Sequence, residues 1–178
     1  MEEGTTILGR YIIAFVESTG DVSSVFKRKT RKIFEKNGLT VDDIEPDGQY
    51  DANKYADAMS EIRDEVGQKT LRQAGAEQAA NVPWDEDINS VADGLRFVVQ
   101  ADREAHESPS GGFDGNYNFE MVDDSTVRVG IPDYSPYPVD NFKGVFDGAV
   151  KSLSESGGAR ISDADPKPGE KTAFEVSW

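Results

Sequence analysis

A single histidine, His106, and the complete absence of cysteine set narrow limits on the chemistry open to this chain of 178 residues. Disulfides, zinc ribbons and thiol nucleophiles are excluded. Ser–His–Asp catalysis needs an imidazole held between a hydroxyl and a carboxylate, and no Gly-x-Ser-x-Gly elbow accompanies His106. Carboxylates are so abundant, 34 in all, that pairs such as Asp42-Asp43 and Asp123-Asp124 read as loop and turn residues and carry no acid–base signal. The stretch from Ser110 to Gly115 is rich in glycine. It lacks the Lys-Ser/Thr of a phosphate loop and precedes an expected strand, so it reads as a connector. His106 itself stands among Asp102, Arg103, Glu104 and Glu107 at an expected helix end, which points to a surface histidine. No catalytic residue, no metal site and no enzymatic activity are expected.

Two other groups of residues invite a binding role. Trp84, Phe97, Phe113, Tyr134 and Tyr137 are candidates for the lining of an apolar pocket, since ligand sites combine apolar walls with a few polar groups. Tyr134 and Tyr137 are the preferred pair, because the prolines around them restrict the loop. The same aromatics also read as core or packed loop. Lys27, Arg28, Lys29, Arg31, Lys32 and Lys36 gather six of the nineteen basic residues within ten positions. That patch reads either as a contact for nucleic acid or an acidic partner, or as a solvated helix face paired with carboxylates. No aromatics interleave with the charges, which favours the second reading.

Thirty-four acidic against nineteen basic residues leave a net charge of −15 and a pI near 4.4. Such a field repels nucleic acid and anionic membranes unless a local patch overrides it. The acid is dispersed along the chain, as in a protein kept soluble in concentrated salt, so a halophilic setting is expected beside the plainer reading of an ordinary acidic protein. Glu2 and Glu3 precede the first apolar run, so no leader is expected, and no segment approaches the ~20 apolar residues of a membrane span. A cytoplasmic location is the expectation.

The elements that must position these residues follow from periodicity. A helix is predicted from Ile7, Leu8, Tyr11, Ile12, Phe15 and Val16, closing at Gly20. A second starts at an Asp21 cap, carries Val22, Val25, Phe26, Ile33 and Phe34 and stops at Gly38. After an acidic loop from Leu39 to Gly48, a helix runs from Asp51 to Gly67, and a further piece ends near Gly75. Pro83-Trp84 opens the next helix, with Asp85, Glu86 and Asp87 in its first turn, and that helix ends after His106. Beyond it the period changes to two. Tyr117, Phe119 and Met121, a turn at Asp123 to Ser125, and Val127, Val129 and Ile131 form a hairpin. Pro132 to Pro138 is a rigid loop, and Val139, Phe142, Phe146, Ala149, Val150 and Leu153 line a helix stopped at Ser156 to Gly158. Strands at Ala159 to Ser162 and at Phe174 to Trp178 close the chain. The fold class is α+β: one domain over residues 1–178, with a mainly helical half (1–107) followed by a sheet half (108–178). In the second half, β-β-α-β-β forms a four-stranded antiparallel sheet packed on helices.

That order, with its junctions, resembles the superfamily uniting heme nitric-oxide/oxygen-binding (H-NOX) sensor domains, vinyl-reductase-type ligand-binding domains and TRAPP trafficking-complex subunits. The resemblance runs from about Ile62 to Trp178. It rests on the Gly67 to Gly75 piece, the helix ending at His106, the hairpin, Tyr134-Ser-Pro-Tyr-Pro138 leading into Phe142-Lys-Gly-Val-Phe-Asp-Gly148, and the closing Gly169 to Trp178. It implies a non-enzymatic sensor, ligand-binding or assembly role, an apolar cavity between helices and sheet, a homodimer, and a small apolar ligand or a regulatory protein as partner. Nucleic-acid-associated regulation through residues 27–36 is the alternative. In the heme branch the resemblance implies a proximal histidine before the hairpin, where His106 stands, and a Tyr-x-Ser-x-Arg clamp after it. Reading from Tyr134, Pro136 and Pro138 replace Ser and Arg, so no heme or other cofactor is expected.

Overall fold

The computed structural model describes residues 1–84, 86–154 and 157–178. Asp85, expected in a helical first turn, and Ser156, expected as a helix stop, lie outside the described residues. The architecture is α+β: among the described residues there are six α-helices and two antiparallel sheets, of three and four strands.

The helical half opens with strand β1 (Thr6–Leu8), helix α1 (Gly9–Val22) and helix α2 (Ser24–Lys36). Ser23 caps α2 by accepting a hydrogen bond from the Phe26 amide, so the cap falls two residues after the expected Asp21. Strand β2 (Gln49–Asp51) leads into α3 (Ala52–Val66), and Gly67, at φ 106°, turns the chain into α4 (Gln68–Ala80). Helix α4 runs through Gly75 without stopping there. Helix α5 spans Val91–Ala105. Ser90 caps it seven residues after the expected Pro83 start: its hydroxyl oxygen accepts from the Asp93 amide, and the hydroxyl donates in turn to the Asp93 carboxylate.

His106 and Glu107 form the short strand β3 and pair with β1, in the order β2-β1-β3. This small sheet was not anticipated. Strands of two or three residues show no readable alternation, and their existence is decided by partners distant in sequence.

The four-stranded sheet contains β4 (Asn118–Asp123), β5 (Thr126–Pro132), β6 (Arg160–Ala164) and β7 (Glu170–Ser177) in the order β4-β5-β7-β6. The expected hairpin is β4–β5, with Phe119 opposite Val129 and Met121 opposite Val127. Val127, Val129, Ile131, Phe174 and Val176 are fully buried on one face, the consequence of period-two alternation against a core. The core side is occupied by α6 (Val139–Leu153), whose Phe146 meets Phe174 and Tyr117 edge to face.

Helices α4 and α6 touch backbone to backbone. A Cβ on Gly144 would lie 2.0 Å from the Arg72 carbonyl oxygen, and one on Gly148 would lie 2.2 Å from that of Ala76. The glycines that carried the resemblance are therefore contact points between helices. Buried residues of both halves form one contiguous cluster. No helix among the described residues is long and apolar enough to cross a membrane.

Candidate functional site

The junction between the two halves brings the sole histidine together with the preferred tyrosine. His106 is buried, at 7 % exposure, and this corrects the expectation of a surface residue. Its chain neighbours are polar, but pairing with Ile7 in the small sheet takes the residue into extended conformation and turns the ring inward. The imidazole Nδ1 lies 2.8 Å from the Asp102 carbonyl oxygen, and Nε2 lies 2.8 Å from the Tyr137 hydroxyl. A carbonyl only accepts, so Nδ1 carries the proton. In the neutral ring Nε2 then presents a lone pair, to which Tyr137 donates. The tautomer is thus assigned by its partners.

Tyr137 continues into the aromatic core. Its ring meets Tyr55 at 5.6 Å and Phe142 at 6.0 Å, and Tyr55 in turn packs on Phe15 and Phe34. Burial pushes the Tyr137 hydroxyl well above its usual value, so it stays a donor. Phe113 lies against the imidazole, with ring centroids 4.7 Å apart. The loop carrying Tyr137 is held by Lys171, whose Nζ donates to the carbonyls of Ser135 and Tyr137. Burial lowers the pKa of that ammonium.

Asp102 completes the cluster. One carboxylate oxygen accepts from the Asn116 amide at 2.6 Å and the other from the Asn116 side chain at 2.8 Å, while His106 Nδ1 stands 3.8 Å away. Desolvation raises its pKa against the opposing pull of His106 and Asn116.

The five aromatic candidates therefore divide. Tyr137 and Phe113 flank His106. Tyr134 packs edge-on to Phe113 and donates to the Gly115 carbonyl at 2.5 Å, and both it and Phe113 line a shallow cleft of about 590 Å³. Trp84 and Phe97 pack on each other, 5.8 Å between centroids, and do not join that group. Sequence reasoning did not single out Asp102, Asn116 or Tyr55. Tyr55 had a signal in its place on the helical stripe; the role of Asn116 depends on a loop whose path no periodicity reports.

The basic face of α2 is largely neutralised. Lys27 pairs with Glu17, Lys29 with Glu65, Arg31 with Asp42 and Lys36 with Glu61, on α1, the 39–48 loop and α3. Arg28 and Lys32 complete the stripe. This is the solvated, paired face, and nothing in the arrangement favours nucleic acid.

Solved H-NOX domains share this fold over nearly the whole chain. The oxygen complex of an oxygen-binding H-NOX domain related to soluble guanylate cyclases matches with a TM-score of 0.65 and 12 % identity, covering 96 % of this chain and 92 % of that one. A structure from work on modulating heme redox potential through porphyrin distortion gives 0.68 at 11 %, covering 97 % and 100 %. A mutant H-NOX from T. tengcongensis gives 0.67 at 11 %, covering 96 % and 97 %. No protein-family model and no curated protein matches the sequence. The likeness extends the resemblance beyond Ile62 to include the N-terminal helices.

It also corrects the expectation that no heme or other cofactor goes with this chain, because the structures whose fold it shares include domains studied for their heme. Measured against that group, the residues here fit in one respect and differ in another. His106 supplies an interior imidazole with the right tautomer. Its Nε2, however, is engaged by Tyr137 rather than facing an open position.

Proposed function

We propose that this chain is a ligand-responsive sensor domain on an H-NOX-like scaffold, and not a catalyst, in which the Tyr137 hydroxyl holds His106 Nε2 at rest and gives it up to the ligand. The observation that carries this is the 2.8 Å contact between Nε2 and Tyr137, deep in the core of a fold shared with an oxygen-binding H-NOX domain. A lone pair oriented by a backbone carbonyl is the arrangement of a ligand-ready histidine. A tyrosine seated on it sets a threshold, since a ligand must outcompete a buried hydrogen bond. The aromatic neighbours Phe113 and Tyr134 suit an apolar body. Heme is the ligand that the matched structures name, and a small apolar molecule of the vinyl-reductase kind is the other form of the same reading. A homodimer and a regulatory protein partner belong to this proposal as well.

Hemin titration followed by absorption tests it. Tyr137→Phe, which frees Nε2, should develop a Soret band at lower hemin concentration than the wild type, and His106→Ala should lose the band. Equal spectra for the wild type and His106→Ala, or a Tyr137→Phe protein no more responsive than the wild type, would sink the reading. Sedimentation at high salt addresses the dimer.

A further inference from the structure

Helix α5 presents Arg96, Val99, Gln100 and Arg103 along one face, the i, i+3, i+4, i+7 stripe, toward the free edge of β4. Between them lies a cleft of about 770 Å³, within the range of small-molecule sites. Its charge is opposite to that of the protein: Arg96, Arg103, Arg128 and Lys167 stand against Glu120 and Glu170, in a chain of net charge −15. Three of the four cations are committed. Arg128 is forked onto Glu170, Lys167 pairs with Glu120, and Arg96 pairs with Asp93 on its own helix.

Arg103 differs. Among the described residues its guanidinium makes one hydrogen bond, from Nε to the Asp114 carbonyl at 3.0 Å, and no direct ion pair, although its charge acts on the nearby Asp102 carboxylate. That bond, and the space left by Gly115, where a Cβ would stand 2.9 Å from Arg103 Cγ, lay the side chain along the 114–115 loop. Arg103 lines both the large cleft and the smaller one beside Tyr134. A guanidinium with two free nitrogens matches a carboxylate fork to fork. The floor beside it is apolar, formed by Val99 and Tyr117, both buried, with Phe119 at the edge.

We propose that the α5–β4 cleft binds a small organic monocarboxylate with an apolar body, its carboxylate on Arg103 and its body over Val99, Tyr117 and Phe119. One uncommitted fork beside two fixed carboxylates suits a single negative charge and disfavours a polyanion. The cleft lies outside the His106 interior, sharing Arg103 with the Phe113–Tyr134 cleft at its border, and the proposal does not rest on the sensor reading.

The test is titration with sodium octanoate, followed by amide correlation spectra, with sodium phosphate and sodium chloride as comparison anions. Octanoate should shift α5 and β4 signals saturably, and phosphate and chloride should not. Arg103→Gln should weaken binding at least tenfold, and Arg103→Lys, which keeps charge without the fork, should fall between. Arg96→Glu, on an exposed rim that the fold tolerates, should also weaken it, and this reading holds even if the Arg103 variants fail to fold. His106→Ala should bind octanoate as the wild type does, whatever its hemin spectrum. Absence of a saturable shift, equal shifts with phosphate, or undiminished binding by Arg96→Glu and Arg103→Gln would overturn the proposal.

Discussion

Asp102 and Glu170 are both carboxylates withdrawn from water, and they are held in opposite ways. Glu170 receives a two-toothed guanidinium from Arg128, at 3.1 and 2.6 Å, together with the Lys167 amide and the Asn118 side chain. Chiefly the Arg128 hydrogen bonds hold its pKa down at about 2. Asp102 has only the neutral donors of Asn116, and the imidazole beside it turns its proton to a main-chain carbonyl instead. Desolvation therefore wins there and its pKa rises. One region is a saturated clamp across β5 and β7. The other is a cluster whose groups retain capacity to change partners, which is where the proposed sensing function would act.

The clamp should give the largest effect. Glu170→Ala strands a buried guanidinium and is expected to cost about 3–5 kcal/mol in denaturant unfolding. The sign in pH follows from its lowered pKa. The contribution is fully present above the ordinary 4.5, and it is lost as pH falls through about 2; the shift corresponds to roughly 3 kcal/mol. Gly130→Ala attacks the same clamp from below, since its Cβ would lie 1.9 Å from Glu170 Oε1. A smaller loss, about 1–3 kcal/mol, is expected in the same assay.

Asp102 should behave in the opposite sense. Its raised pKa means that its contribution is present at low pH and declines as pH rises from 3.8 through the folded value. Asp102→Asn should flatten that side of the stability profile and leave stability within about 1 kcal/mol of the wild type. A loss as large as that of Glu170→Ala would erase the distinction between the two regions. The smallest effect is expected on α2. Lys36→Gln removes an exposed pair with Glu61 and should leave the thermal unfolding midpoint unchanged within measurement, whereas a clear drop would mean that the basic face is structural.

What could be read in advance divides along the same line. Val127, Val129 and Ile131 announced a strand, and Phe142, Phe146 and Val150 a helix, because local periodicity reports one buried face. Gly144 and Gly148 were visible as part of a resemblance, and their reason, the near contact of α4 and α6, lies in the folded packing. His106 was misjudged because its neighbours in sequence are charged, whereas its burial is imposed by Ile7, some hundred positions earlier. Tyr137 was marked by its flanking prolines, but nothing local announced that it would meet His106. Arg103 looked like one charge among many on a polar helix end. That no described carboxylate forms a direct ion pair with its guanidinium is a property of the folded surface.

The proposed release of His106 by Tyr137 turns on the state of one ring nitrogen, and long-range proton–nitrogen spectra of His106 observe it directly. The expected result is an Nδ1-protonated ring whose Nε2 resonance shows an accepted hydrogen bond in the wild type and loses it in Tyr137→Phe. An Nε2-protonated ring, or an Nε2 signal indifferent to Tyr137→Phe, would contradict the account.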